Sequence, residues 1–450
     1  MRRTSLSVVA LLAAFGLAGC TSAPAAPRPS VPPTSARASA TAKCPAALSA
    51  PKVTVPDVRF APGQGLRFGS AQDAGLAPGP VAAIAGDAAR FMRRRSYPGA
   101  VVLAARDGVI VSHQAMGYAL RYADDKPTEL PRERRIPMRT DTIFDIASLS
   151  KLFTTLVAVR QVERGTLALN AKAASYLPEF GERCKHHITI RQLLTHTSGL
   201  RPDLPFHKYK TRAEQLRLLY AEKPRATPGK AYIYSDLNLI TLQLVLEKVT
   251  GQWLDALVRD GITRPLGMID TGYRPPGARR SRVAATEDQH APPARVDRGL
   301  VWGQVHDESA WALGGIAGHA GVFSTARDLA ILAQTLLNGG RYGQARVLSE
   351  DSTRLLFTDF NRRFPAHSHG LGFELDQRRY MDRLASPVTI GHTGYTGTSL
   401  VINPRSRAFV ILLTNRVHPS REWGSINHAR RAVAHDLARA ITGSRAPTGR

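Results

Sequence analysis

The sequence predicts an α+β fold in which one antiparallel sheet, flanked by helices, is assembled from the two ends of the globular region. Three observations carry this. Apolar runs of strand length lie near the start of that region and again near its end. A long, mainly helical stretch separates them, at about residues 166–282. One of the early runs folds back on its neighbour through an Asp-Gly pair.

The elements follow in chain order. Globular patterning begins near Leu66. Val81, Ile84, Ala85, Ala88, Phe91 and Met92 recur at helical spacing. Gly99-Ala100-Val101-Val102-Leu103-Ala104 and Val109-Ile110-Val111, joined through Arg106-Asp107-Gly108, read as a β-hairpin. A helix opens at Ser148 and stops near Gly165. Thr189 opens a short helix running to about Ser198-Gly199. Leu237–Val249 is strongly apolar and closed by Gly251. Thr325 and Asp328 have the spacing of a capping box, opening a helix that ends at Gly339-Gly340. Val388-Thr389-Ile390, Leu400-Val401-Ile402 and Phe409–Leu413 read as strands. Ile426, Ala429, Val433, Leu437 and Ile441 line one face of a last helix.

Upstream of this region the chain has another character. Arg2 and Arg3 precede a short apolar stretch, Leu6 to Leu17, too short to span a bilayer comfortably. The stretch ends in Leu17-Ala18-Gly19-Cys20, which is similar to a bacterial lipobox with Cys20 as the lipidated residue. Residues 1–20 are therefore expected to be a lipoprotein signal peptide, with either general or twin-arginine export. Residues 21–65, rich in Pro, Ala, Ser and Thr, are expected to be a flexible spacer. The implied location is the bacterial cell envelope, where acyl chains on one cysteine hold a protein to the membrane.

The 450 residues are 43% hydrophobic and 21% charged, ordinary for a globular chain. A net charge of +26 is not ordinary, and no lysine follows Lys248. The excess reads as compositional bias or as a surface for anionic envelope polymers. Export excludes chromosomal DNA as a partner. Cys44 and Cys184 remain for a disulfide or for two free thiols.

The helix at Ser148 poses the chemical question. Ser148-Leu149-Ser150-Lys151 is either a helix cap or a nucleophile beside its base. Residues three apart share a helix face. A helix N-terminus favours negative charge, and a desolvated lysine loses proton affinity. The pattern alone is weak, since Ser49-Ala50-Pro51-Lys52 repeats it inside the Pro-rich stretch. Two further motifs give it context. Tyr234-Ser235-Asp236 opens the apolar helix of residues 237–249. Gly391-His392-Thr393-Gly394-Tyr395 ends a strand, where small residues admit a substrate backbone.

Together these resemble the serine β-lactamase and penicillin-binding superfamily, in its class C-like branch of D-alanyl-D-alanine carboxypeptidases, class C β-lactamases and related esterases. The resemblance rests on FDIASLSKLFTT, ITIRQLLTHTSGL, IYSDLN, GHAGVFSTARDLA and GHTGYTGTS, in that order, and covers about residues 66–443. It implies a β-lactamase/transpeptidase-like fold. It implies Ser148 as nucleophile, Lys151 as its proton partner, and Tyr234 as second base and acid to the leaving group. The N–H groups of Ser148 and Tyr395 would form an oxyanion hole. His392, Thr393 and Gly394 would line the substrate edge, the first two meeting a carboxylate. No metal or cofactor is implied, so His186, His187, His196 and His319 are read as structural or surface residues. The expected substrate is a peptidoglycan peptide, with a small acyl ester or a β-lactam as alternatives, or a low-turnover binding role.

Two departures stand out. Asp236 replaces the usual Asn, and an anion accepts but does not donate; it is free instead to hold a lysine or cap the helix. His392 replaces the usual Lys, as in the His-Thr-Gly version among carboxypeptidases of this branch.

Overall fold

The computed structural model describes Cys44, Leu48 and residues 53–443. Cys20 and the signal-like stretch lie outside the described residues. No described helix is long and apolar enough to cross a membrane. The described residues from Leu48 to Gly443 fall in one compact unit.

An eight-stranded sheet is its spine. The strands are β1 (Arg67–Phe68), β2 (Gly99–Arg106), β3 (Val109–Leu120), β4 (Ile136–Pro137), β5 (Glu374–Leu375), β6 (Ile390–Thr393), β7 (Thr398–Asn403) and β8 (Ala408–Thr414). Their order is β1-β3-β2-β8-β7-β6-β5, with β4 added beside β3. Every pairing is antiparallel except that of β1 with β3, which is parallel and only two residues long. The two halves of the chain meet at β2 and β8, where Ala100 faces Thr414 and Arg106 faces Ala408. The β2–β3 turn has positive φ at both Asp107 (50°) and Gly108 (77°), the backbone that a tight hairpin requires.

Strand alternation sorts side chains into two cores. Val101, Leu103, Phe409, Ile411 and Leu413 enter one; Ala100, Val102, Ala104, Val410 and Leu412 enter the other. With both faces covered, the strands read as continuous apolar runs. One face is covered by helices α1 (Pro78–Arg93) and α5 (Asn427–Gly443). Helices α2 (Ser150–Glu163), α3 (Asp236–Thr250) and α4 (Ala326–Leu337) pack on the other. Helix α2 is buried on every side from Ser150 to Val159, so its polar residues must bond inward. Ser150 Oγ accepts from Val322 N (3.0 Å), and Thr154 Oγ1 donates to the Gly318 carbonyl (2.8 Å).

Several expectations shift. The folded body begins before Leu66: Val58 is 3% exposed within the main core, and Ala61 N donates to Leu337 O. Apolar residues thinly spread through the Pro-rich stretch are enough to lay residues 53–65 on the body. The helix after Thr189 ends at Leu194 rather than near Gly199, because the chain turns through His196 at φ 55°. The capping box at α4 is half formed. Thr325 Oγ1 accepts from Asp328 N, while the Asp328 carboxylate turns to Asp270 N and Thr271 Oγ1. Cys44 and Cys184 are both disulfide-bonded.

Candidate active site

Ser148 sits in a 3-10 turn, Ala147–Leu149, immediately before α2. Its hydroxyl caps nothing, since neither helical segment has a side-chain cap. The turn is strained: Ala147 has φ 46°, which costs a residue with a Cβ about 1–2 kcal/mol. Asp145 holds it there. Its Oδ1 accepts from Ala147 N (2.8 Å) and its Oδ2 from His306 N (2.7 Å). Asp145 is buried, and burial raises its pKa against the bonds it accepts.

Lys151 is 1% exposed. Its Nζ donates to Ser148 Oγ at 2.9 Å and to the His319 carbonyl at 3.2 Å, and lies 2.8 Å from Asp236 Oδ1. It also stands 4.9 Å above the centre of the Tyr234 ring. This corrects the expectation of a lysine with reduced proton affinity. Burial does disfavour the ammonium, but the charges of Asp236 and Tyr234 outweigh it, and the lysine's pKa is raised. Asp236 therefore uses its charge to hold the lysine and caps nothing. Burial raises the pKa of Tyr234, and the nearby ammonium of Lys151 and hydrogen bonding to Lys151 and Ser148 pull it back.

His196, expected to be structural or surface, is a buried support of Tyr234. The two rings lie 4.5 Å apart at 31°. His196 Nδ1 accepts from Ser235 N and faces Asn238 Nδ2, both at 3.1 Å, and its carbonyl accepts from Ile233 N. Its backbone and ring together fix the peptide on both sides of Tyr234. His319 is buried as well, with Nε2 3.0 Å from Asp307 Oδ1. His186 and His187 are half-buried and contact each other. Asp236, Asp307 and His319 bring ligand atoms within 4.8 Å of one another. Lys151 and the Asp307–His319 contact already engage this cluster.

The third motif is stitched to the turn before the serine. Thr396 Oγ1 donates to Asp145 O (2.7 Å), and Thr398 Oγ1 to Ile146 O (3.0 Å). A Cβ at Gly394 would lie 2.6 Å from Ile146 O and 2.0 Å from Thr398 Oγ1, so only glycine fits that approach. Two guanidinium groups hold the same turn: Arg416 Nε donates to Tyr395 O, and Arg430 Nη2 to Gly394 O and Thr398 O. The side chain of Tyr395 is 50% exposed.

Ser148, Tyr234, His392, Thr393, Gly394 and Tyr395 line one cavity of about 1130 Å³. Lys151 and Asp236 stand behind its wall. His392 is not the cation that a carboxylate partner needs. Burial and then the charge of Lys151 push its pKa down to about 3, and Nδ1 faces its neighbour's carbonyl at Thr393 O, 2.9 Å away. The cavity's cations are instead arginines, among them Arg379, Arg416 and Arg430. The sequence reading did not single out these arginines, nor Asp145. His196 lay within a quoted stretch, ITIRQLLTHTSGL, and was read there only as a structural or surface residue.

Three imidazoles around the site are buried with depressed pKa values: His196 well below the ordinary value, His369 to about 4 and His392 to about 3. Below the unfolded value of 6.5 the unfolded chain binds more protons than the folded one. Their contribution to stability is therefore complete above pH 6.5 and is lost as pH falls toward the folded values. Urea unfolding midpoints should decline from pH 6.5 to 4, and less steeply in His369→Gln. A flat wild-type profile would contradict this electrostatic picture.

The Beta-lactamase family pattern matches residues 39–435. An Escherichia coli (strain K12) protein named "Putative D-alanyl-D-alanine carboxypeptidase" is 33% identical over 353 residues, 72% of this chain and 79% of that protein. A Salmonella typhimurium (strain LT2) protein of the same name is 34% identical with the same coverage. Among solved structures, EstCE1, a hydrolase with promiscuous acyltransferase activity, is similar with a TM-score of 0.62 and 24% identity, covering 80% of this chain and 98% of its own. A class C beta-lactamase has a TM-score of 0.62 at 19% identity, covering 83% and 98%. A family VIII carboxylesterase has 0.61 at 21%, covering 81% and 98%. The chain belongs to the Beta-lactamase family and is a serine hydrolase.

Proposed function

We propose that this serine hydrolase is an envelope-tethered D-Ala-D-Ala carboxypeptidase or endopeptidase acting on peptidoglycan peptides through an acyl-enzyme on Ser148. One observation carries the reading: Ser148, Lys151 and Tyr234 converge at the edge of a large, arginine-bearing cavity. Ser148 Oγ attacks the scissile carbonyl. Lys151, held as an ammonium by Asp236, donates to that oxygen and stabilises charge on it and on the Tyr234 phenol. In the phenolate form that the Lys151 ammonium stabilises, Tyr234 takes the serine proton as attack proceeds, and the phenol so formed gives that proton to the leaving nitrogen. The N–H groups of Ser148 and Tyr395 receive the oxyanion. With His392 uncharged, the cavity's arginines are the partners for a substrate carboxylate. Water then releases the acyl group and restores the serine. The names of the Escherichia coli and Salmonella relatives support the substrate class.

A second reading, an esterase on small acyl esters, is favoured by two features: Asp236 lacks the amide donor that an acyl-amide substrate contacts, and His392 lacks charge. A β-lactamase role stands third, because no further base for rapid deacylation is evident among the described residues. A low-turnover binding role sits poorly with an intact Ser148–Lys151–Tyr234 group.

A fluorescent penicillin should label the purified protein, and Ser148→Ala should abolish both labelling and hydrolysis. Labelling that survives the substitution rejects Ser148. Turnover of a D-Ala-D-Ala peptide, a p-nitrophenyl ester and a chromogenic cephalosporin then separates peptidase, esterase and β-lactamase; the proposal expects the peptide to lead. The lipobox-like stretch supports the tether. Cys20→Ala should move the protein expressed in bacteria from the membrane to the soluble fraction, and an unchanged distribution would refute lipidation at Cys20.

A further inference from the structure

Four ring systems contact one another in succession at the site: His369, His196, Tyr234 and His392. Successive centroids are 5.3, 4.5 and 6.1 Å apart. The two end members, His369 and His392, line the cavity beside Ser148. They share an arrangement that no assigned role uses. His369 Nδ1 lies 2.7 Å from the carbonyl of Gly370, and His392 Nδ1 lies 2.9 Å from that of Thr393. A carbonyl only accepts, so in each neutral ring the proton is on Nδ1 and the lone pair on Nε2. Both rings are at least 98% buried, with relative exposures of 1% and 2%. Neither Nε2 has a hydrogen-bond partner among the described residues.

A buried acceptor without a donor is costly, and such atoms call for an explanation. Other features of this wall do not supply one. Arg379 is turned to Glu374, and Arg430 spends two of its nitrogens on Asn427, Gly394 and Thr398. The His367 ring is stacked 4.4 Å from Tyr232 at 13°. Burial above all, with the Lys151 charge at His392 and the His392 charge at His369, keeps both rings unprotonated at neutral pH, so neither Nε2 serves as a donor there.

We infer that His369 and His392 form a subsite for a hydrogen-bond-donating leaving group, one bearing amide N–H or hydroxyl groups, as an amino-acid or peptide leaving group does. The inference rests on the reading of Ser148 as nucleophile and Tyr234 as acid to the leaving group. Both imidazoles line the cavity that Tyr234 and Ser148 also line, so a group departing toward the phenol leaves into the space they border. A hydrocarbon leaving group would leave both lone pairs unsatisfied, and the enzyme would discriminate against it. This makes His369 a specificity-determining residue outside all three motifs.

The test uses two esters of N-acetyl-D-alanine that differ in one feature of the leaving group. Glycolamide ends in CONH2 and donates; methyl glycolate ends in CO2CH3 and does not. The wild-type enzyme should prefer the glycolamide ester by about tenfold in kcat/KM, the size expected of one well-made hydrogen bond to a buried group. His369→Phe should collapse the preference toward one, while His369→Gln, which keeps an acceptor, should retain most of it. The ratio is internal to each variant, so loss of folded protein does not imitate the effect. A wild-type ratio near one, meaning that water satisfies the imidazoles equally with either ester, overturns the inference. So does a preference that survives His369→Phe. A fluorophosphonate probe run alongside keeps the two ideas apart. Absence of labelling at Ser148 strikes the underlying reading, whereas normal labelling with a ratio near one strikes only the subsite.

Discussion

The ion pair between Lys151 and Asp236, 2.8 Å apart, is the constraint on which the site depends. It joins the first turn of α2 to the first turn of α3, and so joins the serine-bearing and tyrosine-bearing segments. A fully buried ammonium without an anion would shed its proton or unfold its surroundings. With Asp236 present it stays charged and keeps a donor fixed on Ser148 Oγ. The exchange of the usual amide for a carboxylate is thus a redistribution of labour. The second motif loses a donor toward substrate and gains control of the lysine's charge. Removing Asp236 leaves the buried ammonium uncompensated, a change that typically costs about 3–5 kcal/mol in buried pairs.

The rest of the site is organised around keeping three chain segments in register with that pair. Asp145 bends the chain into the strained turn at Ala147. Thr396 and Thr398 tie the glycine-lined turn to the two residues preceding Ala147. His196 braces the tyrosine from behind. Arg416 and Arg430 hold the carbonyls of Gly394, Tyr395 and Thr398, which orients the same peptides whose N–H groups face the opposite way. These contacts link residues up to about 250 positions apart, which is why the sheet must be built from both ends of the chain.

Much of this was legible in the sequence because it depends on local rules. The Asp107-Gly108 turn is required by backbone sterics. The α5 face of Ile426, Ala429, Val433, Leu437 and Ile441 follows from helical period. Ser148, Tyr234 and His392 were found because each sits where an element begins or ends. What escaped depends on long-range burial. The charge state of Lys151 is set by Asp236, 85 positions later, and no spacing rule conveys it. The neutrality of His392 likewise needs its surroundings. Asp145 looks like any acid before a helix until its two amide partners are seen. Asp328 fits a capping box by spacing but is captured by the loop at Asp270, a tertiary competitor that local sequence does not announce.

The most direct test is the protonation state of Lys151 itself, read by nitrogen NMR of protein carrying 15N-labelled lysine. The account predicts that one lysine signal remains an ammonium past pH 10.5, the ordinary lysine value, and that Asp236→Asn brings the same signal down below it. A Lys151 signal that titrates below 10.5 in the wild-type protein would contradict the account. It would return the lysine to the role of a neutral base.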